Sequence, residues 1–490
     1  MLSFLGRRPR RTASDIPDRW QVGRQGPSRR LCWRPLLLAV VGVLVALFGT
    51  VVLAPALIRP STAVGTGPDR TEAVPSTLRR GNILDANGHA LASSVVYDSL
   101  YADPARLGDV DLLAKQLSGF VSLPPAELSA KLKVQQRTPV LLKRHLTAEQ
   151  ARDIRLLQRP ELVLKPEWRR VHPEGDLAAA VLGTVDFEGN AHSGLEALFA
   201  TELGAGRDVA LTIDRFLQSL AESELERAIA SKRLAAGTII VLEPYSGAVL
   251  ALAERPSASF GGSGEAQTAE SRPLRAVAEA DESGMSVDLF LKIGGGPQSG
   301  ETKGTLEALG FGRPTGVDLP GEAPGAIGTS VVKATPIQSA LAMGSIANGG
   351  LLMRPMLVQQ IKDVNGARTY PPALVRQAIS ASASRALSES LGASVARGDD
   401  GLGPVRRPEH KIAAASGRIT TSGQTGTMVA GFATLYDARF VLLVRGEGAT
   451  TSEAVPEVFG AVAQQLLVYF RVPPASAHAG RQQPVARGPG

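Results

Sequence analysis

The chain has 490 residues, a single cysteine (Cys32) and six scattered histidines, so disulfide stapling, thiolate chemistry beyond the N-terminal region and a His- or Cys-built metal centre are all unsupported. The formal charge of +7 would suit a nucleic-acid binder. However, residues 1–34 hold nine arginines against Asp15 and Asp18, which accounts for the whole surplus. The remainder is neutral, and nucleic-acid binding is excluded by that distribution.

The Arg-rich tail runs into Pro35–Ile58, an uncharged apolar run of 24 residues. As a helix it would span about 36 Å, enough to cross a bilayer with some tilt. The arginines before it place residues 1–34 in the cytoplasm and the bulk of the chain across the membrane. Ala54-Pro55-Ala56 looks like a signal-peptidase site, but the run exceeds a signal h-region of about 7–15 residues, so an uncleaved anchor is expected. Residues 59–79, rich in Pro, Gly, Ser and Thr, read as a linker.

Beyond the linker, Arg80–Ala92 reads as a β-hairpin, with Asn87-Gly88 supplying the positive-φ turn. Leu217–Ser231 has the spacing of an amphipathic helix. Gly237–Leu242 is a buried-strand run, Glu243–Gly247 a turn and Ala248–Ala253 the return strand. An apolar helix runs from Ala454 to Phe470, and the Pro/Gly/Ala/Arg-rich residues 472–490 read as a disordered tail.

These elements carry a family resemblance. Arg80-Gly81-Asn82-Ile83-Leu84-Asp85-Ala86-Asn87-Gly88-His89-Ala90-Leu91-Ala92 resembles the RGxIxDRNGxxLA opening of class B penicillin-binding proteins, with Ala86 for the usual arginine. Tyr101-Ala102-Asp103-Pro104, Arg170–Gly175, Val181-Leu182-Gly183, Ser193-Gly194-Leu195-Glu196 and Leu211-Thr212-Ile213-Asp214 follow in family order. Gly310-Phe311-Gly312, Thr315–Glu322, Thr335-Pro336-Ile337-Gln338, Ile346–Gly350 and Ala454–Phe459 resemble later landmarks. The resemblance implies a bitopic membrane protein: an α+β pedestal (dimerisation) domain over residues 80–205, then a shortened transpeptidase-like α/β domain over 206–471. The second domain would have a central antiparallel sheet flanked by helices. A pedestal hairpin between Glu196 and Leu211 is expected to be missing.

An acyl-serine transpeptidase needs a serine with a nearby base, which Ser-x-x-Lys on a helix provides because positions i and i+3 are neighbours. A Lys-Thr-Gly strand then holds the substrate. Arg275–Gly284 resembles the lead-in to Ser-x-x-Lys, but the next four residues are Met285-Ser286-Val287-Asp288. Alternatively Ser283-Gly284-Met285 stands for the second motif, Ser-x-Asn, and the first is absent. Ser330-Val331-Val332-Lys333 is a literal Ser-x-x-Lys in a downstream stretch that reads as structural. Ser422-Gly423-Gln424-Thr425-Gly426-Thr427 resembles the Lys-Thr-Gly-Thr strand with Gln424 for the lysine. That strand either accepts a peptide along its edge or is a core strand without a ligand. His172 and His192 read as surface or hinge residues.

With nucleophile, base and strand lysine all replaced at Met285, Asp288 and Gln424, the resemblance implies a bacterial inner-membrane homologue without transpeptidase activity and without a cofactor. Its bulk would be periplasmic. Its retained task would be contact between the pedestal and a SEDS-family (shape, elongation, division and sporulation) lipid II polymerase, with other division or elongation proteins. Three alternatives stay open. One is an active serine D,D-transpeptidase using Ser283, Ser286 or Ser330 with Lys333. Another is a module that binds muropeptides or β-lactams reversibly through Gln424–Thr427. The last is a decaying paralogue.

Overall fold

The structure is a computed structural model that describes residues 79–133, 138–256, 273–283, 300–328, 331–421, 424–433, 437–448 and 450–474. The expected anchor Pro35–Ile58 lies outside these residues; no helix within them is long and apolar enough to cross a membrane.

The chain enters through β1 (Ile83–Leu84) and turns back into β2 (Ala90–Ala102). Gly88 takes φ 87° in the turn, while the Asp85 carboxylate accepts the backbone N–H of Asn87 and His89 at 2.9 and 2.7 Å. The hairpin read from Asn87-Gly88 is thus present, held by an aspartate below it as well as by the glycine. Helices α1 (Val110–Val121), α2 (Pro125–Leu132) and α3 (Ala148–Leu156) cover one face of β2, β3 (Val140–Lys143) and β4 (Leu162–Val171). Asp109 caps α1, and Thr147 with Gln150 forms a capping box on α3, so both starts are set locally. Leu100, Leu117, Leu128, Leu142 and Ile154 fill the space between helices and strands.

From Glu196 the chain makes two short helical pieces, Gly194–Leu198 and Ala200–Gly204, and goes directly into β5 (Asp208–Leu211). No hairpin intervenes, in keeping with the shortening expected there. Helix α4 (Arg215–Ala230), capped by Asp214, then leads to the hairpin of β6 (Ala236–Leu242) and β7 (Val249–Arg255). Next come α5 (Arg275–Ala278), β8 (Asp281–Ser283), β9 (Ala326–Ile327), β10 (Val332–Ala334) and α6 (Pro336–Ala347), whose residues are all buried. The remaining elements are β11 (Leu351–Met353), β12 (Val358–Asp363), β13 (Gly366–Thr369), β14 (Leu374–Gln377) and α7 (Ala381–Arg397). After them come β15 (Ile412–Thr421), β16 (Gln424–Ala433), β17 (Val441–Glu447) and α8 (Thr451–Tyr469).

Two sheets organise the fold. The second has eight strands in the order β7-β6-β17-β16-β15-β8-β10-β9, every neighbouring pair antiparallel. Its strands β6 and β17 are buried on both faces, so the apolar run of β6 is continuous. Ile240, Leu242 and Leu443 pack towards α6, whereas Ile239, Val241, Leu442 and Val444 pack towards α4 and α8. The first sheet runs β13-β12-β5-β1-β2-β3, with β4 on the other side of β2.

The division at residues 205/206 does not follow the sheets. Strand β5 pairs parallel with β1, and β12 pairs antiparallel with β5, so residues 208–211 and 358–369 complete the pedestal sheet. The Thr212 hydroxyl joins the two regions, lying 2.7 Å from the Val249 carbonyl and 2.8 Å from that of Met356.

Candidate functional site at the edge of the central sheet

The lead-in to the expected nucleophile is built on a buried carboxylate. Glu254, at the end of β7, accepts the backbone N–H groups of Arg275 and Ala276 at 3.0 and 2.6 Å, which fixes the first turn of α5. Burial pushes the Glu254 carboxyl up to about 7, against the pull of those two amides. Helix α5 then leads to Glu279 and to Asp281, the first residue of β8, where Arg445 of β17 meets them. Arg445 has no exposed surface, and Nη2 donates to Asp281 at 2.9 Å and to Glu279 at 3.2 Å. Its Nη1 donates to Glu447 at 2.7 Å, and Nε completes a fork on Asp281. Burial opposes the charge on Arg445, but Asp281, Glu447 and Glu279 more than offset it and hold the guanidinium above its ordinary value.

Strand β8 ends at Ser283, whose backbone pairs with Ile419 of β15. Met285, Ser286 and Asp288 follow outside the described residues, as does Ser330. Of the literal Ser330-x-x-Lys333 motif, Val332 and Lys333 lie on strand β10 rather than on a helix. Lys333 is exposed and pairs with Glu282 at 3.5 Å, an ordinary cross-strand ion pair.

Gln424–Thr427 opens strand β16. From Gly426 onward, β16 is an interior strand, paired along one side with β15 and along the other with β17. A Cβ at Gly426 would stand 2.3 Å from the carbonyl oxygen of Gly446, which leaves no room for an added chain. Thr427 is buried and donates its hydroxyl to Thr451 Oγ1 at 3.1 Å. Only Gln424 and Thr425 are exposed, and both are already paired with Thr421 and Thr420. From Gly426 onward the strand is paired on both sides and offers no edge, whereas Gln424 and Thr425 pair with β15 alone.

The open edge belongs to the preceding strand. Among the described residues, β15 has no strand on its second side from Ile412 to Arg418; β8 reaches only Ile419 and Thr420. Helix α7 lies against β15, and Ile412, Ala413 and Ala414 are buried. Ala415, Ser416 and Gly417 are half-buried and Arg418 is exposed. Ser416-Gly417 is a second hydroxyl–glycine pair, nine residues before the one singled out from the sequence, and small Ala415 precedes it. That signal was present in the sequence, but Gln424-Thr425-Gly426-Thr427 is the fuller literal match.

His192 is exposed beside Asp186 at 3.3 Å, as expected of a surface residue. His172 is half-buried: burial, then the neighbouring Arg170 charge, push its imidazole down to about 4, so it is neutral. Among the described residues no group of His, Cys, Asp and Glu is placed to hold a metal ion.

With both sheets in view, the kinship can be stated. The penicillin-binding protein dimerisation domain matches residues 75–197, and the penicillin-binding protein transpeptidase domain matches residues 285–464. The chain belongs to the penicillin-binding proteins. Its order of dimerisation then transpeptidase domain is that of the class B members. The probable peptidoglycan D,D-transpeptidase PenA of Neisseria gonorrhoeae is 31% identical over 253 residues, covering 45% of this chain and 43% of that protein. The peptidoglycan D,D-transpeptidase FtsI of Escherichia coli K12 is 27% identical over 234 residues, covering 41% of this chain and 40% of that protein. The chain therefore spans less than half the length of these curated relatives. Penicillin-binding protein 2X of Streptococcus thermophilus superposes with a TM-score of 0.65 at 15% identity, over 83% of this chain and 82% of that one. A peptidoglycan synthetase from Bifidobacterium adolescentis gives 0.63 at 20% identity, over 81% and 96%. At such identities the structures share the fold, and the chemistry must be argued from the site.

Proposed function

We propose that this penicillin-binding protein acts without transpeptidase chemistry, as a scaffold or regulator in peptidoglycan synthesis at the bacterial inner membrane. Pro35–Ile58 would anchor it, with the bulk of the chain on the periplasmic side. The pedestal would engage a SEDS-type lipid II polymerase and division or elongation proteins. The observation that carries this reading is the open strand of the central sheet, where Ala415 precedes Ser416-Gly417. Whether the family's Lys-Thr-Gly strand is aligned with β15 or with β16, the position of its lysine holds Ala415 or Gln424. Met285 and Asp288 take the places of serine and lysine in the first motif. Losing one member of a nucleophilic unit already lowers the rate by orders of magnitude, and here the positions change together.

The pedestal supports the scaffold role, because its sheet is completed by strands from both halves of the chain. A partner bound there would be rigidly joined to the central sheet. The test is intact-mass spectrometry of the full-length chain in detergent after incubation with excess penicillin. An unmodified mass from folded protein is expected. A stable adduct would overturn the reading and direct attention to Ser286 and Ser330.

A further inference from the structure

We infer that Asn365, at the tip of the β12–β13 hairpin, is a site of spontaneous covalent modification, in which the Gly366 nitrogen displaces the side-chain amide as ammonia and water opens the resulting ring. The inference holds whether or not the chain is catalytic. Asn87, Asn348 and Asn365 each precede a glycine, the least hindered setting for this chemistry, because glycine has no Cβ to crowd the closing ring. The three dipeptides are alike in sequence, so the fold decides among them. Asn87 is held: its Nδ2 donates to Asp214 at 2.8 Å and its backbone N–H to Asp85 at 2.9 Å, while the Gly88 N–H donates to the Asp85 carbonyl at 3.1 Å. Asn348 is buried; its Nδ2 donates to the carbonyls of Pro244 and Leu351 at 2.7 and 2.9 Å, and its Oδ1 accepts the Leu351 N–H at 2.9 Å. Either site must break hydrogen bonds before the side-chain carbonyl carbon can meet the next nitrogen.

Asn365 has no such hold. Its backbone N–H donates to Asp363 at 2.7 Å, but its side chain has no hydrogen-bond partner among the described residues, and Lys362 through Thr369 are exposed. Among the described residues β13 pairs only with β12 and buries none of its side chains, so its end can open without disturbing a core. Gly366 takes φ 152°, a conformation that residues with a side chain rarely adopt, so the turn itself demands the glycine that makes Asn365 reactive. In the reaction the Gly366 nitrogen gives up its proton and bonds to Cγ of Asn365, and the Cγ–Nδ2 bond breaks as Nδ2 leaves in ammonia. Water then adds to one carbonyl of the cyclic imide. Cleavage between Cγ and the nitrogen gives aspartate at 365. Cleavage at the backbone carbonyl gives isoaspartate, whose chain runs through Cβ and Cγ and is one backbone atom longer. A two-residue turn closed by Asp363 and Gly366 cannot hold the extra atom in register, so β13 would come away while β12 stays paired with β5.

The experiment ages the full-length chain in detergent at mildly acidic and mildly alkaline pH and follows all three asparagines by peptide mass mapping, with methylation by an isoaspartate methyltransferase as a second readout. The expected result is conversion at Asn365 about tenfold or more faster than at Asn87 or Asn348, because only its hairpin end opens freely. The rate should rise with pH, since the glycine nitrogen must lose its proton, and the new oxygen should come from solvent water. In urea the three sites should react within a few-fold of one another, because the fold no longer separates them. Asn365→Gln should abolish the modification at this position and leave thermal unfolding unchanged. In hydrogen exchange the isoaspartate form should lose protection in Ala367–Thr369 and keep it in Val358–Ile361. Equal rates at the three sites in the folded chain, or an Asn365 that reacts in urea and stays intact in the folded chain, would overturn the inference.

Discussion

Arg445 and Asp281 lie 164 positions apart in the chain, yet form a fork-on-fork ion pair with both side chains almost wholly buried. The pair ties the segment that leads to the expected nucleophile onto a central strand. Removing one partner strands the other charge away from water. Arg445→Met should therefore destabilise the protein by about 3–5 kcal/mol. Replacing Asp281 by leucine in the same molecule should recover much of that loss. Urea unfolding of the three proteins checks this, and a double variant no better than the single one would show that the network does more than satisfy charge.

Glu254 and His172 should tilt the pH dependence of stability in opposite directions. The folded Glu254 carboxyl sits at about 7, above its ordinary 4.5. The folded state thus holds that proton more tightly, and stability from this group is lost as pH rises from about 4.5 to 7. His172 sits at about 4, below its ordinary 6.5, so its contribution is present above pH 6.5 and lost as pH falls towards 4. Each effect is on the order of 3 kcal/mol across its window. Relative to the parent, Glu254→Gln should gain stability between pH 5 and 7, and His172→Gln should lose it. Chemical denaturation at the two pH values measures both slopes.

Restoring a lysine at the position singled out from the sequence should not restore a penicillin-reactive protein. Gln424→Lys would place the ammonium at the start of a strand whose continuation is interior, away from the open edge. No mass adduct is expected after incubation with penicillin, and an adduct dependent on this lysine would return β16 to the centre of the site.

Thr212→Val keeps the shape of the side chain and removes the hydroxyl that joins β5 to the carbonyls of Val249 and Met356. Buried acceptors then lose a donor, and a destabilisation of about 1–3 kcal/mol is expected. The loss should appear as a shift of a single thermal transition, because β5 and β12 complete the pedestal sheet. Separation into two transitions would mean that the pedestal and the central sheet unfold independently.

What the sequence determined by itself were the local devices: the Asn87-Gly88 hairpin, the spacing of α4, the apolar run of β6 and the closing helix α8. Each depends on residues within one turn or a few strand positions, and the order of the motifs carried the family. Tertiary structure decided which strand has a free edge. Gln424-Thr425-Gly426 and Ala415-Ser416-Gly417 are alike as local patterns, and it is the pairing with β17 that makes β16 interior from Gly426 onward, while among the described residues β15 keeps an unpaired side over Ala415–Gly417. Tertiary structure also decided that residues 358–369 complete the pedestal sheet and that Arg445 is buried among acids. Those outcomes depend on partners tens to hundreds of positions away, and strand pairing and ion-pair burial are properties of neighbours in space.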